Sequence, residues 1–246
     1  MQRYFLNENA ELNQRFFIHS SDDVHHIKNV MRLEPDDNII INFNNGAFIA
    51  VLIAVDKAVE VETIEQLNIQ TELPVRVTIA GGLLKNDKYE WMIQKATELG
   101  AAHFIAFISD RTIVKVDQKK MDKRLERFNK IVKEAAEQSY RLTIPTVSFQ
   151  RDSQSLAKQL AEYDAVLIAY EEEAKSGGMQ LFHQALNNLA PGANVLIIFG
   201  PEGGLSPSEV EQFSGDVIGL GPRILRAETA PLYALSAVSY HFELMA

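Results

Sequence analysis

The sequence predicts an α/β protein in two parts, a small strand-rich module followed by a larger domain of parallel strands covered by helices. Three observations predict it. From Arg3 to Thr63 the chain is strand-like, beyond Pro74 short apolar strands alternate with helical stretches, and in the last third two glycine-bearing loops follow apolar strands. Alternation of apolar strands with helices produces a mostly parallel sheet with both faces covered.

Taken in order, the first module offers strands at Arg15–His19, Asn38–Phe43 and Ala47–Ile53, the last two joined by an Asn45-Gly46 turn. One helix interrupts them. Ser20 or Ser21 caps Asp22–Arg32, which has acids in its first turn and a base in its last. The set is compatible with a small β-barrel. The polar stretch Gln66–Pro74 reads as a linker, giving domains at 1–70 and 74–246. Beyond it, strands at Val75–Ala80, His103–Ile108, Ala165–Ala169 and Val195–Phe199 alternate with helices at Lys88–Leu99, Asp122–Gln138, Ser155–Glu162, Met179–Leu189 and Leu232–Leu244. No internal repeat or low-complexity segment is present.

At 246 residues and 46% hydrophobic content the chain can fill one large core or two modest ones. No apolar run approaches the roughly 20 residues needed to span a bilayer, and Met1-Gln-Arg-Tyr-Phe lacks a signal peptide's apolar stretch. The expectation is a cytoplasmic protein. Without cysteine there is no disulfide, no thiolate nucleophile and no cysteine zinc site. The six histidines do not help a metal either: His25 and His26 are adjacent and face different ways on a helix, and the others lack the spacing of a zinc motif. No metal is expected.

A net charge of −9 opposes nucleic acid, since phosphates are neutralised by Lys and Arg. Its distribution softens the objection. Residues 1–84 carry −6, residues 85–141 carry +4 and residues 142–246 carry −7, and much of the basic part lies in Lys115–Lys133. A solvated helix face explains that run equally well.

The two loops carry the most chemistry. Asn194-Val-Leu-Ile-Ile-Phe-Gly200-Pro-Glu-Gly-Gly204 is a strand running into a tight turn, and Ser206-Pro207-Ser208-Glu209 then reads as an N-cap, a proline at N1 and the Glu of a capping box. Leu220-Gly-Pro-Arg-Ile-Leu-Arg-Ala-Glu-Thr-Ala230 is the second. Ligands of open α/β sheets sit beyond the carboxyl ends of strands, where glycines allow close backbone approach. Neither Gly-Lys-Ser/Thr nor Gly-x-Gly-x-x-Gly occurs, so ATP and NAD are poor guesses. Glu202 stands where a phosphate binder would avoid a carboxylate; a cationic ligand without phosphates, such as S-adenosylmethionine, tolerates it. Contact with a helix N-terminus explains Glu202 as well.

Together these loops resemble the signature loops of the ribosomal RNA uracil-N3 methyltransferases of the SPOUT superfamily. The resemblance extends over nearly the whole chain, through Arg3-Tyr4-Phe5, His25-His26 with Val30-Met-Arg-Leu33, Lys95-Ala-Thr-Glu-Leu-Gly100, and Glu134-Ala-Ala-Glu-Gln-Ser-Tyr-Arg141 with Ile144-Pro145. It implies a PUA-like β-barrel followed by an α/β domain whose C-terminal segment forms a trefoil knot, and a homodimer. It also implies a three-loop donor pocket for S-adenosylmethionine at Tyr170, Gly200, Pro201, Glu202, Leu220, Gly221, Ile224 and Leu225. Taken singly, Ile224 and Leu225 read equally as core.

N3 of uracil lies on the Watson–Crick edge, so the base must be met unpaired and its N–H must lose a proton. Arg226 is the candidate for orienting the uracil or stabilising its anionic oxygens, because guanidinium is always charged and presents a planar fork; a salt bridge with Glu228 is the competing reading. Glu228 or Glu202 could accept the proton if burial raised its pKa, and solvent hydroxide could suffice. For the phosphates of 16S ribosomal RNA the candidates are Arg3, His26 and Arg32 in the first domain and Lys85, Lys88, Arg111 and Arg141 in the second. Two other readings remain open: a SPOUT enzyme acting on a ribose 2′-oxygen or on transfer RNA, and a non-catalytic RNA-binding assembly factor.

Overall fold

Asn38–Phe43 (β3) pairs antiparallel with Gly46–Val55 (β4) across a turn at Asn44 and Asn45, one residue before the expected Asn45-Gly46, because Gly46 already pairs with Phe43 as the first residue of β4. The computed structural model describes residues 1–85, 87–113, 117–171 and 179–245. They divide into two units, Met1–Thr71 with Tyr140–Thr143, and Glu72–Ser139 with Ile144–Ala246.

In the first unit Arg3–Phe5 (β1), Arg15–Ile18 (β2) and Val59–Leu67 (β5) complete a five-stranded sheet of order β1-β3-β4-β5-β2. β1 runs parallel to β3 and the remaining pairs are antiparallel. Register shifts between Ile49/Ala50 and Leu52/Ala54 mark bulges, which sharpen local twist. The sheet curls into a half-barrel. The expected barrel is thus open: among the described residues β1 and β2 end the sheet without pairing to each other. Phe16, Ile18, Ile39, Ile41, Phe48, Leu52 and Val61 pack together as its core. The helix expected over Asp22–Arg32 is α-helical only at Ser21–His25 (α1), capped by the Ser20 side chain on the Asp23 amide. It widens to a π turn over His26–Val30 that buries Ile27, and Arg32 leaves it at φ +53°. β5 runs to Leu67, so the expected linker begins within a strand. Tyr140–Thr143 join this unit through Asn42, whose Nδ2 donates to the Arg141 carbonyl at 2.7 Å.

In the second unit Arg76–Gly82 (β6), His103–Phe107 (β7), Thr146–Gln150 (β8), Ala165–Ala169 (β9), Asn194–Phe199 (β10) and Asp216–Ile218 (β11) form a parallel sheet of order β11-β9-β10-β6-β7-β8. Successive residues of β10 serve opposite faces: Val195 and Ile197 enter one core, Leu196 and Ile198 the other. Burial on both faces is why the strands read as continuous apolar runs. β8 and β11 escape the sequence reading because one is half polar and the other three residues long.

The covering helices are Lys88–Glu98 (α2), Gln118–Gln138 (α3), Ser153–Ala157 (α4), Met179–Asn187 (α5), Pro207–Phe213 (α6) and Ala230–Ser239 (α7). α6 carries the full capping box, Ser206 and Glu209 each bonding the other's amide. The helix expected over Ser155–Glu162 is instead α4, capped by Asp152, and a separate 3₁₀ turn at Leu160–Glu162. Likewise the helix expected over Leu232–Leu244 is α7 followed by a π turn at Tyr240–Leu244. Among the described residues no helix is long and apolar enough to cross a membrane.

His103, at the amino end of β7, lies within hydrogen-bond distance of the hydroxyls of Thr146 (2.5 Å) and Ser148 (3.0 Å). Burial pushes its pKa down, assisted by nearby Arg76 and opposed by its bond at Thr146. The unfolded chain therefore takes up this proton first as pH falls, so stability is intact above the ordinary histidine value of about 6.5 and declines below it. The melting temperature is expected to drop between about pH 7.5 and pH 5.5, a window that brackets that value, and His103→Asn should make the drop shallower. Parallel curves for the two proteins would refute this.

Candidate active site

Parallel strands place all their carboxyl ends at one edge of the sheet, so the segments following β6, β9, β10 and β11 meet there. They enclose a cavity of about 330 Å³. Tyr170 and Glu171 follow β9, Gly200, Pro201, Glu202 and Gly204 follow β10, and Leu220 with Arg223–Glu228 follows β11. Lys88, at the start of α2, closes one side, and Ala169, Phe199, Leu205 and Ile218 supply apolar wall.

The loop after β10 is pressed flat. A Cβ on Gly200 would stand 2.5 Å from the Gly204 carbonyl carbon and 2.6 Å from the Leu205 amide nitrogen, backbone atoms that cannot give way. Gly221, at φ +91°, adopts a backbone conformation that favours glycine. The Glu202 carboxylate accepts from the Lys85 amide at 3.1 Å, so it ties the loop after β10 to the segment leading into α2.

Glu228 pairs with Lys88, its two oxygens 3.2 and 3.4 Å from Nζ. The reading that paired it with Arg226 gives way to this contact. Burial acts to raise the Glu228 pKa, but its own backbone amide, Lys88 and Arg226 outweigh burial and leave it below the usual carboxylate range. The condition under which Glu228 could take a proton from a weakly acidic N–H is therefore not met: it is a poor base. Arg226 is exposed at the cavity. Ile224 is 63% exposed, so the core-packing reading does not describe it, whereas Leu225 is half-buried.

Residues that the sequence reading did not select hold this frame. Glu209 is 1% exposed and accepts from Ser109 Oγ and the Asp110 amide, both at 3.0 Å, and from the Ser206 amide at 2.9 Å. It thereby fixes the segment after β7 to the start of α6. From that segment Arg111 donates to the Gly203 carbonyl at 3.0 Å, so its charge stands beside the loop after β10. The capping-box spacing identified Glu209 as a helix residue; the partners at 109 and 110, a hundred positions away, left no local signal.

The candidates for RNA separate into two groups. Lys85, Arg111 and Arg32 are exposed, while Lys88 and His26 are half-buried, the latter with Nδ1 2.9 Å from the Tyr4 hydroxyl. Arg3 and Arg141 are buried at 4% and 2% exposure. Arg3 donates to Asn42 and to the Tyr140 carbonyl and lies 4.8 Å above the Tyr140 ring, so it serves the interior of the first unit, and burial withdraws both arginines from a phosphate. Among the described residues no group of three or more acids and histidines could hold a metal. Lys115, where the basic run begins, lies outside the described residues.

The fold is that of a known class. The RNA methyltransferase domain family matches residues 71–239 and the RNA methyltransferase PUA domain family matches residues 20–64. The chain is 48% identical to ribosomal RNA small subunit methyltransferase E of Bacillus subtilis, over 100% of this chain and 98% of that one. A crystal structure of the Neisseria gonorrhoeae enzyme of the same name, bound to S-adenosyl methionine, superposes with a TM-score of 0.80 at 29% identity, covering 97% of each chain. A crystal structure described only as that of a hypothetical protein superposes with a TM-score of 0.91 at 45% identity over the whole of both chains. The chain belongs to the ribosomal RNA small subunit methyltransferase E family.

Glu209→Gln keeps the side-chain size but turns one acceptor towards donors as an NH₂ group. It is expected to cost about 1–3 kcal/mol of stability, measured as a lower denaturation midpoint at unchanged denaturant slope. A midpoint equal to that of the unmodified protein would mean the carboxylate does not hold the frame.

Proposed function

We propose that this protein transfers the methyl group of S-adenosylmethionine to N3 of a uridine in 16S ribosomal RNA of the small ribosomal subunit. The observation that carries this reading is the cavity built from the loops after β9, β10 and β11, in a chain that belongs to a family of ribosomal RNA methyltransferases.

The residues present fit the donor. The cavity has apolar wall at Ile218, Leu220 and Leu225, backbone edges at Gly200 and Gly204, and carboxylates at Glu171 and Glu202, a suitable surrounding for a ligand that is cationic and carries no phosphate. When bound, S-adenosylmethionine supplies an electrophilic methyl group. The protein's own part is to hold the base unpaired, exclude water and stabilise the negative charge that spreads over O2 and O4 once N3 has lost its proton. Arg226, exposed at the cavity mouth and outside the Lys88–Glu228 pair, is placed for that charge. Glu228 acts through Lys88, which it holds beside the cavity, and solvent takes the N3 proton. Lys85, Lys88 and Arg111 stand at the same edge for the RNA backbone, and His26 and Arg32 serve it from the first unit.

The reading includes a PUA-like RNA-binding domain at 1–70, a SPOUT domain at 74–246 threaded into a trefoil knot, cytoplasmic residence and a homodimer. The dimer is supported by apolar side chains left exposed on α7 and the turn after it, Tyr233 at 40%, Tyr240 at 55% and Leu244 at 74%. Sedimentation of the purified protein is expected to give twice the mass of one chain; a monomer at micromolar concentration would remove this part of the reading.

The deciding experiment is calorimetric titration with S-adenosylmethionine followed by methylation of 16S ribosomal RNA from a strain lacking the enzyme. Digestion of the product to nucleosides should yield N3-methyluridine; a label found only on ribose or only in transfer RNA overturns the reading. Arg226→Ala is expected to leave donor affinity intact and lower turnover on the order of 10²–10³-fold, as for loss of one charge-stabilising donor. Turnover at the original rate would take Arg226 out of the mechanism.

A further inference from the structure

We propose that the exposed basic face of α3, formed by Lys119, Lys120 and Lys123, is a docking surface for the phosphate backbone of the ribosomal RNA substrate. The inference rests on the methyltransferase reading and adds the surface that brings the polyanion to the cavity. At 100° per residue, positions 119, 120, 123, 124 and 127 fall within one arc of about 140°. All five are basic. The opposite side of the helix is spent on the core, where Met121, Phe128 and Val132 are fully buried.

Three features argue that this arc is more than a solvated surface. Its members differ: Arg127 is engaged with Glu90 at 2.7 Å and Arg124 lies over the Phe128 ring at 5.5 Å, whereas Lys119, Lys120 and Lys123 are exposed and, among the described residues, stand in no ion pair. Those three lysines also fall in the first two turns, where the acids are the N-cap Asp117 and Asp122 and the first turn itself holds none. The helix dipole disfavours cations there, so three lysines against these two acids are more positive charge than helix stability alone would place at this end. Finally, the location is right. α3 connects β7 to β8 in a parallel sheet, so it begins at the carboxyl edge, where the cavity lies. It packs against α2, through the Arg127–Glu90 pair and through Phe128 against Tyr89, and α2 itself starts with Lys88 at the cavity. In a chain of net charge −9, a polyanion needs such a place of approach.

The test compares two variants that remove the same charge. K119Q/K120Q/K123Q strips the face, and R76Q/R151Q/K158Q strips three cations elsewhere on the same unit. Glutamine is a good helix former, so α3 should persist, and donor titration checks that each variant is folded. Affinity is measured between ~50 and ~200 mM salt, the range over which phosphate neutralisation shows, for unmethylated 16S ribosomal RNA and for small subunits from a strain lacking the enzyme. The K119Q/K120Q/K123Q variant is expected to bind on the order of 10–100-fold more weakly, with a salt slope smaller by about 2–3, one unit or slightly less for each phosphate left without its lysine. The control should keep its slope. An unchanged slope for K119Q/K120Q/K123Q, or equal losses in both variants, overturns the proposal and leaves the methyltransferase reading standing. If the unmodified protein binds the donor but neither binds nor methylates the RNA, that reading fails and the docking surface fails with it.

Discussion

Glu209 carries its carboxylate into a position almost closed to water, and donors from two distant stretches of chain meet it there: a hydroxyl and an amide from 109–110 and the amide of Ser206. An unpaired carboxylate so placed would cost several kcal/mol, and the bonds it accepts offset that cost only while each donor keeps its position. The segment after β7 and the start of α6 are thereby fixed to each other. The loop after β10 runs into α6 and receives Arg111 on its Gly203 carbonyl, so its shape follows from the same anchor. The backbone edges of the cavity depend on that loop.

Around this frame the charges at the cavity are set against one another. Lys88 holds Glu228 in its ionised form, which withdraws Glu228 from proton transfer and, among the described residues, leaves the Arg226 guanidinium outside any ion pair. Glu202 bonds a backbone amide rather than a side chain. The cavity thus combines carboxylates at Glu171, Glu202 and Glu228 with cations at Lys88, Arg223 and Arg226, so charge of both signs is at hand for a positively charged donor and a base that becomes anionic.

The parallel sheet was legible because β6, β7, β9 and β10 are buried on both faces, and a strand with no solvated side has an unmistakable composition. The loop after β10 was legible because the glycine at 200 is required by steric approach, a constraint a sequence displays directly, whereas Gly221 answers to its own backbone angle and stands outside the cavity lining. Other features depended on partners far away in sequence. Arg3 and Arg141 looked like surface cations, but both are buried, Arg3 against the returning Tyr140 and Arg141 within that returning segment, and nothing near either residue announces the return. The Glu228–Lys88 pair spans 140 positions and displaced the neighbouring Arg226 as partner for the same reason. In helices the errors lie at the ends, where the π turns after α1 and α7 continue the apolar periodicity with a different hydrogen-bond pattern.

The bonds that define the cavity join residues 140, 117 and 100 positions apart, from Lys88 to Glu228, Lys85 to Glu202 and Ser109 to Glu209. Such separations carry a loop-closure cost that local structure does not, and proteins rich in them fold slowly. A nascent chain on the ribosome can form the half-barrel long before it possesses β10 or β11. The cavity becomes possible only when synthesis is nearly complete, so donor binding reports a finished polypeptide. Once bound, the donor stabilises the part of the protein that is assembled last.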